Sequence, residues 1–401
     1  MGKEKESSSN SAPQLPDHLV MEVLNRVPAA LLVKNFRIIC KSWLHHMSTA
    51  DFIMRNFFRS KQELLIQDPV TDDPSRFTTK SLEMDEKELG FNINYDYTPP
   101  TPLSMFHYFC IPKHWSGFRP TTGRISCSYN GVLLINTALE DGWLYLINFL
   151  TKSIVILPRC PSNCPHEACG SALGFDPRTK QYKVVHIYAA GFGVEIFSLA
   201  DNAWKVLPGP FPEDCQLDAR PHHAPKFCWD DPVLIDGRYM HWYVESDRFL
   251  ISMDVSDEQL VRTDLPNYGI GMDKDAYVLL DLGGQLSCIV NVSDTRIDVW
   301  ISKGFRKQEW IKKHSILDEE VNYINLKAQP SMSKLIALAA LRNGQVIMFK
   351  QKQEKAFVYL YEIKSRQMKQ LKMPMKNGQR FVLHRNSLMS LKTDHLILNR
   401  T

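Results

Sequence analysis

The feature that most constrains this chain is a β-rich unit that returns every fifty to sixty residues. Pro158, Pro208, Pro266, Ile316 and Pro374 close successive units, at steps of 50, 58, 50 and 58 residues. One unit runs Gly131 to Ile135, Trp143 to Asn148 and Ile154 to Pro158. The next runs Leu173 to Pro177, Tyr182 to Tyr188, Val194 to Ser198 and Trp204 to Pro208. Each holds three or four runs of strand length. Self-similarity at such a period marks arrays whose units cannot bury an apolar face alone and must stack on their neighbours. Most of the 401 residues therefore belong to one repeated all-β architecture.

Within the units, Val194 to Ser198 and Arg296 to Ile301 alternate apolar and polar residues, as half-buried antiparallel strands do. Val132 to Ile135 is apolar throughout and reads as a strand covered on both faces. Asn343-Gly344 and Asp236-Gly237 lie between strand-like runs and read as type I′ hairpins at matching places in their units. A propeller blade is the natural unit, and the period is close to the kelch-type value of about 50 residues. Five units, plus the stretch from 62 to 110 closed by a late strand around Ser387 to Leu391, give an expectation of about six blades. A kelch Gly-Gly doublet occurs only at Gly283-Gly284, in a turn.

Before the repeats the chain is different. Residues 1–12 are mostly Lys, Glu, Ser and Asn, a composition that cannot offset chain entropy by burial, and a disordered tail is expected there. From 13 to 58 the pattern is helical. Pro16 suits a first helical turn, Leu19, Val20, Val23, Leu24 and Val27 form one apolar stripe, and Pro28 stops the helix. Leu31, Leu32, Phe36, Ile39, Cys40, Trp43 and Leu44 then recur at spacings of three and four. So short a segment cannot bury such stripes by itself, and its leftover apolar face calls for a partner. The boundary with the β-rich region, which spans 59–401, falls near residue 60.

The motifs Leu15-Pro16-Asp17-His18-Leu19, Glu22-Val23-Leu24-Asn25-Arg26-Val27-Pro28, Leu31-Leu32 and Arg37-Ile38-Ile39-Cys40-Lys41-Ser42-Trp43 resemble an F-box of the plant type. Phe52, nine residues past Trp43, also sits where that family places a Phe. Between Pro28 and Trp43 the chain is one residue longer than the commonest family spacing. A loop would absorb the extra residue, whereas inside a helix it would rotate the apolar face by about 100°. Over most of 60–391 the chain resembles the F-box-associated or kelch-like domain of plant F-box proteins, most clearly in Phe175-Asp176-Pro177-Arg178-Thr179-Lys180-Gln181-Tyr182-Lys183-Val184-Val185.

The resemblance implies a small all-α F-box module followed by a kelch-like β-propeller. It also implies the role of substrate receptor in an SCF-type ubiquitin ligase, with a Skp-type adaptor linking the chain to cullin and RING subunits. Leu15, Pro16, Leu19, Val23, Leu24, Val27 and Pro28 would then contact the adaptor, with Leu31, Leu32, Ile39, Cys40 and Trp43 completing the helical face or its core. Such a receptor performs no bond chemistry. The alternative is a non-degradative scaffold that uses the propeller as an interaction platform, and an enzyme with its site at a propeller mouth is a third reading.

Composition and motifs narrow the chemistry. A formal charge of +4 over the whole chain gives no electrostatic case for nucleic acid or an anionic membrane. Nine cysteines are too few for a disulfide scaffold, and the sequence starts without an apolar secretion segment, so an intracellular chain, nuclear or cytoplasmic, with reduced thiols is expected. No apolar run approaches the roughly 20 residues that cross a bilayer. Cys160, Cys164, His166 and Cys169 fall within ten residues, but structural zinc sites pair a knuckle with a distant second pair, so a connecting loop without metal is expected. No phosphate loop, His-Glu-x2-His helix or Gly-x-Ser-x-Gly elbow occurs, and no cofactor is expected. Binding hot spots favour Trp, Tyr and Arg, and Trp115, Arg119, Phe192, Arg220, His222 and Trp229 sit in probable loops, where a client protein would be held.

Overall fold

The computed structural model describes residues 16–36, 41–68, 79–84, 91–93, 123–136, 143–163, 169–188, 193–207, 227–244, 249–267, 277–307, 309–324, 326, 329–352, 357–371 and 378–391. The tail at 1–12 lies outside them. Helices come first: α1 (Asp17–Arg26), α2 (Ala29–Leu31), α3 (Lys41–Met47) and α4 (Ala50–Arg59). Val27, forced out of the helical region by the proline that follows it, takes φ −74° and ψ 133° and ends α1. Directly after α2 the chain winds as a π-helix over Leu32–Phe36. Thr49 caps α4, its side-chain oxygen accepting from the Phe52 N–H at 3.4 Å.

Strand β1 (Gln62–Gln67) begins just after α4, followed by β2 (Thr79–Met84) and β3 (Phe91–Ile93). Five contiguous antiparallel blades come next. Blade I is β4 (Arg124–Tyr129), β5 (Val132–Asn136), β6 (Leu144–Asn148) and β7 (Ser153–Ile156). Blade II is β8 (Cys169–Asp176), β9 (Gln181–Tyr188), β10 (Gly193–Ser198) and β11 (Ala203–Val206). Blade III is β12 (Phe227–Ile235), β13 (Tyr239–Val244), β14 (Phe249–Asp254) and β15 (Gln259–Asp264). Blade IV is β16 (Tyr277–Asp281), β17 (Leu286–Ser293), β18 (Arg296–Ser302) and β19 (Trp310–Leu317). Blade V runs β21 (Leu335–Leu341), β22 (Val346–Gln351), β23 (Val358–Glu362) and β24 (Gln367–Leu371), with β20 (Asn322–Ile324) added in parallel to β24. The last strand, β25 (Arg380–Arg385), pairs with β1, giving a composite sheet β25-β1-β2-β3.

The inner strands adjoin in the cycle β4, β8, β12, β16, β21 and β25, with β25 returning to β4. The expected count of about six thus resolves into five contiguous blades and one composite closing sheet. The closing strand is also displaced from its expected place: it is β25, whereas 387–391 runs on as irregular chain. That segment is held by Asn148, whose side-chain amide donates to the carbonyls of Ser387 at 3.0 Å and Met389 at 2.8 Å.

Two local expectations change as well. Asn343-Gly344 lies in a four-residue loop, since Leu341 pairs with Val346, and Asp236-Gly237 lies in a three-residue loop between Ile235 and Tyr239. The two-residue Asn-Gly hairpin is instead Asn130-Gly131, between Tyr129 and Val132. Gly131 has φ +78°, and a Cβ there would run into Ser387. The alternating strands are not half solvated either. Glu195 and Asp298 are buried, because a middle strand of a blade has another blade on each face.

The family-like stretch around Asp176 is a joint between blades II and III. Asp176 accepts from the Lys183 ammonium at 3.0 Å and the Ser256 hydroxyl at 2.7 Å, and Lys183 also donates to Glu258 at 2.7 Å. Burial pushes the Asp176 carboxyl up, but those hydrogen bonds outweigh it and hold the group below its usual range. Phe175 donates its N–H to the Gly237 carbonyl at 2.8 Å.

Candidate functional site

The helical module has a small closed core and an open ridge. Leu24, Leu32, Met47 and Phe52 are buried together, with Val20, Met21, Val27 and Trp43 packed around them. The Asn56 side-chain amide donates to the carbonyls of Asn25 at 3.2 Å and Val27 at 2.8 Å, so α4 closes the end of α1. Glu22 accepts from Arg59 at 3.0 Å and Arg26 at 3.4 Å, and these cations hold its carboxyl below the usual range.

The residues expected at an adaptor contact divide by this geometry. Leu19, Val23 and Leu31 are 44%, 62% and 45% exposed, and Pro16 and Pro28 are exposed beside them. Leu24 at 3% and Leu32 at 0% belong to the core and have no surface to offer a partner. Val27 and Trp43 are half-buried. Leu15, Ile39 and Cys40 lie outside the described residues. Val23 and Leu24 are neighbours in sequence, yet about 100° apart around the helix, which sends one to solvent and the other to the core.

The module is joined to the propeller through apolar packing. Ile53 of α4 enters the largest propeller cluster, which also contains Leu146, Leu157, Met389 and Leu391, and Leu388 packs against both cores. The 387–391 strap therefore lies between helices and blade I. Further along α4, Met54, Phe57 and Phe58 line one side of a cavity of about 880 Å³ in the middle of the propeller, which inner strands β4, β12, β16, β21 and β25 also line. These three residues were not singled out from the sequence; the high apolar content of α4 was their only signal.

Inside the cavity wall His384 Nδ1 and Ser128 Oγ are 2.9 Å apart. Burial pushes the His384 imidazole down to about 4, opposed by a hydrogen bond that the ring donates to the Asn386 side chain. A neutral, sealed histidine of that kind is a poor general base near neutral pH, and the pair ties β25 to β4 where the ring closes. Asp281, also at the wall, is raised by burial and by the nearby Asp236 charge.

Of the residues expected to hold a client, Trp115, Arg119, Phe192, Arg220 and His222 lie outside the described residues, and Trp229 belongs to β12. Cys164 and His166 of the cysteine-rich loop also lie outside them, while Cys160 and Cys169 are buried. Among the described residues no helix is long and apolar enough to cross a membrane.

Comparison with known families matches residues 102–396 to the F-box associated beta propeller domain. The chain belongs to that family. Its relatives in Arabidopsis thaliana are F-box proteins: one is 22% identical over 334 residues, covering 75% of this chain and 72% of that protein. Another is 23% identical, covering 91% of this chain and 87% of its own length. An F-box/kelch-repeat protein is 21% identical and covers 91% of this chain and 86% of itself. In this F-box-associated propeller, the Phe175 to Val185 stretch that most resembles the family is the interblade joint described above.

Proposed function

We propose that this chain is the substrate-recognition subunit of an SCF-type E3 ubiquitin ligase. The helical module is read as an F-box that binds a Skp-type adaptor, and through it cullin and RING subunits; the propeller is read as the holder of a client protein. The observation that carries this reading is the exposure of Leu19, Val23 and Leu31 on a module that already has its own buried core. Leu19 and Val23 share one face of α1, one turn apart, and with exposed Leu31, Pro16 and Pro28 they are what a partner surface would cover. Covering them contributes about 25 cal/mol per Å² of apolar area removed from water.

The chain itself would make and break no bonds. Its contribution would be proximity: a client fixed on a rigid platform near a charged ubiquitin thioester reacts at high effective concentration. The packing of Ile53 and Leu388 between module and propeller supports this, because a stiff connection keeps that distance defined. Trp115, Arg119, Phe192, Arg220, His222 and Trp229 remain the residues proposed for the client, in the nucleus or cytoplasm.

The test is gel filtration of the full chain with a plant Skp-type adaptor. A joint peak is expected for the native chain, and Val23→Asp is expected to abolish it while the circular dichroism and melting of the propeller stay unchanged. A native chain that elutes alone, or a Val23→Asp chain that still co-elutes, overturns the assignment.

A further inference from the structure

Blade II carries a second cluster of reactive side chains, none of which lines the central cavity. Ser171 on β8 lies directly across from His186 on β9, and His186 directly across from Glu195 on β10. Side chains of directly paired residues share a face, so all three stand on the same side of the blade. The connector that follows β7 passes over this face and brings Cys160 and Ser162 to it. Ser162 donates its N–H to Glu195 Oε1 at 2.6 Å and its hydroxyl to Oε2 at 3.0 Å, and His186 Nδ1 lies 3.1 Å from Oε2. The ligand atoms of Cys160, His186 and Glu195 all lie within 4.8 Å of one another.

Three kinds of chemistry use a thiol, an imidazole and a carboxylate in one place. A nucleophilic triad needs substrate to reach the sulfur, and here Cys160 is 5% exposed while His186 and Glu195 are 0% exposed, so that use is closed. A purely hydrogen-bonded network accounts for Glu195, whose carboxylate accepts three donors. It does not account for Ser171, whose hydroxyl is buried on the same face without a partner. A metal site accounts for both.

We propose that Cys160, His186 and Glu195 form a zinc-binding site that pins the connector between blades I and II to the face of blade II. A sulfur, nitrogen and oxygen donor set suits zinc and disfavours calcium or magnesium, which want oxygen alone. The ion would replace the proton shared by His186 and Glu195. Their 3.1 Å separation is close to the about 3.3 Å edge of a tetrahedral site with bonds of about 2.0–2.1 Å. Bringing the thiolate in asks for side-chain movement on the order of 1 Å. Ser162 would stay on Glu195 as the outer partner that orients it, and the Ser171 hydroxyl would receive a water in the fourth position. Binding releases the thiol proton and the shared His186–Glu195 proton to solvent.

The test uses the full-length, tag-free chain. After dialysis against zinc chloride and removal of excess, elemental analysis is expected to find about one zinc per chain. A strong chelator is expected to remove it and lower the melting temperature, and added zinc to restore both. Cobalt chloride on the stripped chain is expected to give a thiolate-to-cobalt charge-transfer band. Cys160→Ser and His186→Gln should lose metal and band, while Cys288→Ser, an equally buried cysteine in blade IV, should keep them. Should the first two variants not fold, the chelator and cobalt measurements on the native chain decide alone. Less than about a tenth of a zinc per chain after loading, with melting indifferent to chelator, would leave a hydrogen-bonded network only and overturn the proposal.

Discussion

The helical module and the propeller treat apolar residues on different terms. In blade I every residue of β5 and β6 is buried, because a blade has a neighbour against each face. In the module the buried side chains form one small core, and Leu19, Val23 and Leu31 are exposed. The propeller spends its hydrophobic surface on itself, through the ring that β25 closes. The module leaves part of its own exposed, the surface proposed above for a partner. Even charged groups follow the division: Lys183 and Asp176 are sealed between blades, while Glu22 and Arg26 sit in water.

The contrast can be broken by experiment. The largest effect is expected from Lys183→Ala, which strands the Asp176 carboxylate between blades II and III; losing one partner of a buried pair typically costs about 3–5 kcal/mol, read by denaturant unfolding. A loss below about 1 kcal/mol would mean that this joint is wetter than its geometry. Next come Leu133→Ala in blade I and Leu24→Ala in α1, each expected to cost about 2–5 kcal/mol. Hydrogen exchange should separate them: Leu133→Ala weakens protection throughout the propeller, Leu24→Ala mainly over 17–59. Loss of protection around blade IV in the Leu24→Ala chain would show that the two regions unfold as one.

A smaller effect concerns pH. Burial holds His384 down to about 4 and His241 down to about 3, from an ordinary value of 6.5. Both are lowered, so below pH 6.5 the unfolded chain binds more protons, and stability falls as pH drops toward 4. The slope is at most about 1.4 kcal/mol per pH unit for each histidine. The carboxylates held low, Asp176, Asp254 and Asp298, stay ionised through most of that window. Melting temperatures of His384→Gln should fall less steeply than those of the native chain; equal slopes would remove His384 from the account. The smallest change in stability, within about 0.5 kcal/mol, is expected from Val23→Asp, since no packed neighbour is lost at an exposed position. A clear destabilisation there would show that the ridge is already covered within the chain.

Much of the fold was legible. The steps of 50 and 58 residues reported the blades because each blade repeats one antiparallel meander. Pro28 stopped α1 for a reason internal to the peptide unit. What misled was burial. Glu195 and Asp298 look like solvent-facing positions of alternating strands, yet they are buried beside His186 and Arg296, since the second face of a blade is covered by residues far away in sequence. The closing strand was expected at Ser387 to Leu391, where the apolar residues are; those residues instead serve as the strap between blade I and the helices. Cys160 was read from the sequence only with its near neighbours Cys164, His166 and Cys169, whereas in the fold it stands with His186 and with Glu195, 35 positions on.

The sequence alone determined the order of architectures, helices then repeated β units, and the stop at Pro28, because periodicity and proline act within a few residues of themselves. Only the tertiary structure decided that Val23 faces out while Leu24 faces in, and that the chain winds as a π-helix after α2. It alone brought Ser171, His186, Glu195 and the blade I connector together. Those outcomes depend on which distant surface covers a given face, and no local pattern carries that information.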